Sequence, residues 1–286
     1  MNHAPNTRPG LTWVKPAEPA AAWIGGKRLL AKRICGLIAQ TAHDCYCEPF
    51  VGMGGIFLRR SMRPAVEVIN DVSGDLVNLY RILQRHPDAL FAALRWRPAM
   101  RSEFDRLKTL RALDLTDIER AATFLYLQTL AFAGKVKGRN FGIDPASGVT
   151  FNLARLRPRL EAIHERLTDV VIEHLDWSDL IPRYDRPATL FYLDPPYWGS
   201  EDDYGTGLFP PSDFARLADT LKGIGGKFIM SINDVPEIRS LFDWADITPI
   251  ETRYSIGKAD GNAPVQELLI TKGVNLNPIR AAPRLL

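Results

Sequence analysis

From Lys27 onward, apolar residues recur at helical spacing through Leu29, Leu30, Ile34, Leu37 and Ile38. A short apolar run from Cys45 to Val51 then ends in glycines. The pattern predicts a helix, a strand and a tight turn. The same alternation returns further on, with strands at Ala65–Asn70, Val170–Leu175, Thr189–Leu193 and Lys227–Ile232 and helices at Asp71–Arg85, Ser212–Gly223 and Pro236–Phe242. Strands alternating with helices predict a doubly wound α/β fold, a mostly parallel sheet covered on both faces. Two long helical patterns, about 87–113 and 117–133, and the Gly-rich stretch 134–142 interrupt it. That block is too long for one crossover helix, so 79–166 reads as a helical inserted subdomain within a domain split into 22–78 and 167–275. Near the end, Glu251–Ser255 and Val265–Lys272 flank Gly257–Pro264 as a C-terminal antiparallel hairpin, followed by a tail at 276–286. The Pro/Ala-rich residues 1–21 read as a flexible leader.

Composition narrows the class. With 286 residues, 46% hydrophobic and 24% charged, the chain is unlike a disordered polymer, a collagen-like fibre or a disulfide-stapled scaffold. Cys35, Cys45 and Cys47 are odd in number and have no zinc spacing, so they read as reduced thiols in a cytoplasmic protein. No run of ~18 apolar residues offers a membrane span, and the five histidines have no metal spacing, so no metal is expected. The net charge of +3 conceals two unlike parts: residues 79–166 hold 16 Lys+Arg against 9 Asp+Glu, a balance of +7, which leaves the remainder at −4. A basic insertion predicts a nucleic-acid partner, with Lys135, Lys137, Arg139, Asn140 and, further on, Arg155 as its contacts.

Three segments carry chemistry. Asp194-Pro195-Pro196-Tyr197 follows the apolar strand Thr189–Leu193, at the carboxyl end where open α/β sheets bind ligands. Two prolines give no N–H and hold the backbone extended, so a carbonyl beside the carboxylate can be aimed outward. Two fixed acceptors suit an exocyclic amine, whose two hydrogens they would hold while its lone pair turns out of conjugation; Tyr197 would stack on an extruded base. Glu48-Pro49-Phe50-Val51-Gly52-Met53-Gly54-Gly55, before a short helix at Ile56–Arg60, is a Gly-rich turn that lets backbone approach a ligand. Asp71, 19 positions after Gly52, stands at the end of the next strand, where a carboxylate accepts from ribose hydroxyls. Phe57 occupies the place of the third glycine of a dinucleotide fingerprint, which disfavours NAD and FAD. Trp23-Ile24-Gly25-Gly26-Lys27 opens the first helix and would suit the carboxylate of an amino-acid group.

Together these residues resemble the amino-methylating DNA adenine methyltransferases of the Dam type. Trp23–Lys27 is similar to that family's opening motif, Glu48–Phe57 to its glycine loop, Asp71 to its ribose-binding acid, Asp176-Trp177 to the pair flanking the cofactor adenine, and Asp194–Tyr197 to its catalytic tetrapeptide. With Phe228–Asp234 and Val265–Ile270 the resemblance covers about residues 22–272, in the family's order. Where the family's insertion carries an Asn-Gly pair, this chain has Ala131–Lys137. The resemblance implies a class I S-adenosylmethionine-dependent methyltransferase fold and N6-adenine methylation of double-stranded DNA by base flipping and direct in-line transfer. It implies a cofactor site of Trp23, Gly26, Lys27, Phe50, Gly52, Gly54, Asp71, Asp176, Trp177 and Asp194. Asp194, Pro195, Pro196 and Tyr197 would be catalytic. A monomer, with room for a restriction endonuclease counterpart, is the expected assembly. The residues alone leave open a cytosine, RNA or protein-amide substrate on the same fold, or a catalytically idle DNA-binding protein.

Overall fold

The computed structural model describes residues 10–142, 151–201, 207–253 and 264–276. Its strands and α-helices begin with β1 (Thr12–Trp13), α1 (Ala31–Gln40), β2 (Cys45–Glu48), β3 (Met62–Arg63), β4 (Val66–Asn70), α2 (Gly74–Arg85), α3 (Pro87–Leu94), α4 (Arg101–Lys108) and α5 (Asp117–Leu130). They continue with α6 (Leu153–Arg166), β5 (Val171–Glu173), α7 (Trp177–Tyr184), β6 (Thr189–Leu193), α8 (Ser212–Gly223), β7 (Lys227–Asn233), α9 (Pro236–Leu241), β8 (Asp246–Arg253) and β9 (Pro264–Lys272).

Seven strands form one sheet in the order β5-β4-β2-β6-β7-β9-β8. The first five run parallel, and β9 is antiparallel to both β7 and β8. The chain lays β2, β4 and β5 outward in one direction, then crosses back to place β6 on the other side of β2. That reversal opens a crevice at the carboxyl ends of β2 and β6, the switch point at which such sheets bind ligands. The sheet is the doubly wound, mostly parallel arrangement that the sequence pattern predicts. Its closing hairpin starts at Asp246, earlier than Glu251, and its turn at 254–263 lies outside the described residues.

Every residue of β6 is buried because helices cover both faces. On one face Leu190, Tyr192, Ile229 and Leu269 share a core with α1, α2 and α3–α6; on the other Phe191, Leu193, Phe228 and Ile270 pack with α7, α8 and α9. Each such side chain contributes roughly 1.5–3 kcal/mol relative to its exposed state.

The helical block departs from the pattern in three ways. Position 79, expected as its edge, lies inside α2, whose Leu76, Leu79 and Leu83 join the core of Ile69 in β4. The pattern over 87–113 is split into α3 and α4, because Pro98 offers no N–H and disfavours helical geometry at Arg97. Beyond α5, helix α6 occupies the Arg155–Arg159 stretch, for which the sequence pattern predicts no element.

Residues 10–21 correct the expectation of a flexible leader. β1 pairs antiparallel with β3, the Ala17 N–H donates to the Leu58 carbonyl at 2.8 Å, and Ala17, Ala20 and Ala21 are buried. Small side chains let this extended segment lie close against the main core. Residues 1–9 and 277–286 lie outside the described residues, while Leu276, the first residue of the expected tail, is buried. No described helix is long and apolar enough to cross a membrane.

The block's return to the sheet is fastened by charge. Arg166, the last residue of α6, donates through Nη1 and Nη2 to both oxygens of Glu67 in β4 at 2.7 Å, and Arg60 Nη1 donates to Glu67 at 2.8 Å. All three side chains are buried. Glu67→Ala strands two guanidiniums without a counter-ion and should destabilise the fold by about 3–5 kcal/mol. Urea unfolding checks this, and a midpoint equal to wild type would show that water reaches the pair.

Candidate active site

Asp194, Pro195, Pro196 and Tyr197 leave the sheet at the carboxyl end of β6, at the crevice. The loop is clamped just beyond the tetrapeptide. The Trp198 N–H donates to Asn233 Oδ1 and Asn233 Nδ2 donates back to the Trp198 carbonyl, both at 3.0 Å. Lys27 Nζ lies 2.7 Å from Asp194 Oδ1, and Ser231 Oγ donates to that same oxygen at 3.2 Å. Ser231 Oγ is in turn 2.8 Å from Tyr192 Oη. Burial pushes the Asp194 carboxyl above its ordinary pKa, while Lys27 and Ser231 pull it down. Lys27 Nζ also sits 4.7 Å from the ring centroid of Tyr197 and donates to the Gly25 carbonyl at 3.1 Å.

Trp23–Lys27 precedes α1 instead of opening it. The helix starts at Ala31, and the Lys27 carbonyl accepts from the N–H groups of Leu30 and Ala31. The Gly26 N–H donates to the Trp23 carbonyl at 3.0 Å and closes the turn that swings Lys27 inward. The Trp23 indole lies against Gly52, where φ is +50° and a Cβ would come within 2.8 Å of Nε1. Gly54 is at φ +76°, where a Cβ would meet Leu58 at 2.8 Å. Both positions require glycine on conformation and on space.

Asp71 ties the loops beyond β2 and β4 together. Its Oδ2 accepts the Gly52 N–H at 3.0 Å and its Oδ1 the Ser73 N–H at 2.9 Å. Burial raises its pKa to about 6 against those hydrogen bonds. Asn70, which no sequence motif marks, pins three strand ends: Nδ2 donates to the Pro49 and Leu175 carbonyls at 2.9 and 3.1 Å, and Oδ1 accepts the Leu175 N–H at 2.8 Å. Asp176 is the N-cap of α7, its Oδ1 accepting from Ser178 N–H at 2.8 Å and Ser178 Oγ–H at 2.6 Å. Buried Trp177 packs on Phe209, which meets the edge of Phe50 at a centroid distance of 5.8 Å.

Trp23, Phe50, Asp71, Asp176, Trp177 and Phe209 line a cleft that Asp194 also lines. A second cleft shares Trp23, Phe50, Gly52 and Asp194 and opens onto Lys27, Glu48 and Arg159. Asp194 lines both. Glu48 accepts from Tyr46 Oη at 2.6 Å, and burial raises its pKa to about 8. Glu267 is fully buried on β9, with Lys27, Asp194 and Tyr197 as its electrostatic neighbours. Aromatic walls, a carboxylate on the Gly-rich loop and acidic groups around Asp194 fit a ligand with a purine ring, ribose hydroxyls and a positive centre, as S-adenosylmethionine has.

Of the residues expected to meet nucleic acid, Lys135, Lys137, Asn140 and Arg155 are exposed. Arg139 is half-buried. Its Nε donates to Gln128 Oε1 at 3.1 Å, and its guanidinium lies 5.0 Å from the ring centroid of Phe124. A buried amide acceptor and an aromatic face compete successfully for it. Gln128 Nε2 also donates to the Ala22 and Gly134 carbonyls at 2.9 Å, so the basic loop is braced against the segment that carries Trp23. Asn70, Ser231, Asn233, Phe209 and Glu267 are the site residues that sequence reasoning missed. Ser231 and Asn233 lie within Phe228–Asp234, Glu267 within Val265–Ile270, and Asn70 directly before Asp71.

The chain is similar to known DNA methyltransferases. A Type II methyltransferase, M.CviBI, of Paramecium bursaria Chlorella virus NC1A is 27% identical across 83% of this chain and 91% of its own length. The Type II methyltransferase M1.LlaDCHI of Lactococcus lactis subsp. cremoris is 27% identical across 89% of this chain and 95% of its own. The DNA adenine methylase of Escherichia coli (strain K12) is 26% identical across 86% and 92%. The family model described as D12 class N6 adenine-specific DNA methyltransferase matches residues 23–256. The chain belongs to that family and is an S-adenosylmethionine-dependent DNA adenine methyltransferase.

Proposed function

We propose that Asp194 and the Pro195 carbonyl accept the two N6 hydrogens of the target adenine while Tyr197 stacks on its ring. The observation that carries this reading is the placement of Asp194 between the two clefts, both of which it lines, its carboxylate partly buried and held by Lys27 and Ser231. An adenine inside a duplex cannot reach so recessed a carboxylate, so the base is flipped out of the stack. With both hydrogens drawn to fixed acceptors, the N6 lone pair is freed to attack in line, without a covalent enzyme intermediate. Pro196, which has no N–H, keeps the loop out of the ladder. When bound, S-adenosylmethionine supplies an electrophilic methyl group on a cationic sulfur.

Trp23, Phe50 and Trp177 sandwich the cofactor's flat parts, Asp71 accepts from ribose hydroxyls, and Asp176 offers the carboxylate oxygen left over from capping to the adenine. Gly52 and Gly54 let the backbone approach, and Gly26 places Lys27. Residues 22–78 and 167–275 act as the catalytic part and 79–166 as the DNA-recognition part, an assignment supported by the +7 balance of the latter. Lys135, Lys137, Asn140 and Arg155 are its proposed DNA contacts. The enzyme would act as a monomer in the cytoplasm. The Type II names of two relatives support a restriction endonuclease counterpart.

Asp194→Ala should lower methyl transfer from labelled S-adenosylmethionine to unmethylated DNA by at least about 100-fold; label incorporated at the wild-type rate would sink the role given to Asp194. Asp71 contributes through its ionised form, which is lost as pH falls through about 6. KM for S-adenosylmethionine should therefore rise below that pH, and Asp71→Asn should have a raised KM that no longer varies there. A wild-type KM that is flat between pH 5 and 8 would refute the ribose role.

A further inference from the structure

The hydrogen bonds of Asp194 are unevenly shared between its two oxygens. Lys27 Nζ at 2.7 Å and Ser231 Oγ at 3.2 Å both address Oδ1. Ser231 is itself fully buried on β7, next to β6 in the sheet, and its Oγ is 2.8 Å from the Oη of fully buried Tyr192 on β6. Since Ser231 gives its only hydrogen to the carboxylate, the Tyr192 hydroxyl is the donor in the second contact, and the chain runs Tyr192 to Ser231 to Asp194. Burial and the neighbouring carboxylates keep the Tyr192 phenol protonated and able to donate.

We propose that Ser231, backed by Tyr192, is a positioning residue for methyl transfer: together with Lys27 it occupies Asp194 Oδ1 and so presents Oδ2 to the N6 amine. A carboxylate held by one donor swivels about its Cα–Cβ and Cβ–Cγ bonds. Two donors arriving at one oxygen from separate elements, the segment before α1 and strand β7, fix its plane. The amine then meets an acceptor already oriented, which is where electrostatic preorganisation acts. Ser231 acts through Asp194 and does not touch the substrate, so the inference rests on the role proposed for Asp194.

The test compares Ser231→Ala, Ser231→Thr, Tyr192→Phe and Asp194→Ala with wild type at saturating S-adenosylmethionine and DNA, so that the Asp71 effect on KM drops out. The groups facing Asp194 are Lys27 before α1, Glu48 on β2, Tyr192 on β6, Tyr197 in the loop, Ser231 on β7 and Glu267 on β9; all but Ser231 and Tyr192 keep their ionisable groups in the Ser231 and Tyr192 variants. Loss of the serine hydrogen bond removes stabilisation of the ionised carboxylate. Ser231→Ala should lower kcat about 10-fold and move the acidic limb of the kcat profile up by about one pH unit. KM for the cofactor should change less than about two-fold. Ser231→Thr should restore both rate and limb, and Tyr192→Phe should shift both in the same direction by less; it also decides the matter should Ser231→Ala fail to fold. A wild-type kcat and limb in Ser231→Ala overturns the proposal, as does a lower kcat with an unmoved limb and no rescue by threonine. If Asp194→Ala keeps its activity, the reading of Asp194 falls instead, which separates the two failures.

Discussion

Placing Asp194 at the end of a fully buried strand takes part of the water from its carboxylate, and the Lys27 ammonium 2.7 Å away works against the resulting rise in its pKa. That ion pair constrains much of what surrounds it. Lys27 reaches the sheet only if residues 23–27 turn inward ahead of α1. The turn is held by the Trp23 indole against Gly52 on one side and by Gln128 and Gly134 on the other. The first contact comes from the Gly-rich loop after β2, the second from the helical block. A segment four to eight residues before a helix is thus positioned jointly by the loop after β2 and by the helical block, and the basic loop beside Gly134 shares a mechanical base with the cleft that Trp23 lines.

The carboxyl edge of the sheet shows why a parallel topology serves this chemistry. Glu48 ends β2, Asn70 ends β4, Asp194 follows β6, and Ser231 and Asn233 close β7. Parallel strands bring all these ends to one side. Glu267 reaches the same edge only because β9 runs antiparallel and enters the sheet there, opposite Asn233. One ammonium among Glu48, Asp194 and Glu267 leaves the site short of positive charge, and desolvation raises the pKa of all three. Such an environment favours a cationic ligand.

Much of this is legible in the order of residues alone. The five residues of β6 are bounded as predicted, because a strand buried on both faces reads as a nearly unbroken apolar run, and the motifs at Glu48, Asp71 and Asp194 mark strand ends. What the sequence hides has physical causes. Pro98 divides a continuous helical periodicity. In α6 the buried Leu156, Leu160 and Ile163 lie at helical spacing, but Arg155, Arg157, Arg159 and Pro158 between them mimic an exposed basic loop. Ala17, Ala20 and Ala21 look like leader residues because small apolar side chains carry no periodic signal, yet their size is what lets the segment pack.

Arg139 and Ser231 show the remaining limit. An arginine between glycines reads as a phosphate contact, and only the position of Gln128, eleven residues earlier on α5, reveals that the guanidinium has an internal acceptor. A serine inside an apolar strand reads as filler. Its partners, Asp194 and Tyr192, are 37 and 39 residues away in sequence and become neighbours only when β6 and β7 pair. Local sequence announces groups that act at a strand end, where glycine, proline and carboxylate cluster. The groups that orient them sit one strand over, and pairing alone brings the two together. The side chains most easily overlooked here are therefore those whose removal should change the angle of Asp194 while leaving the fold and the cofactor cavity in place.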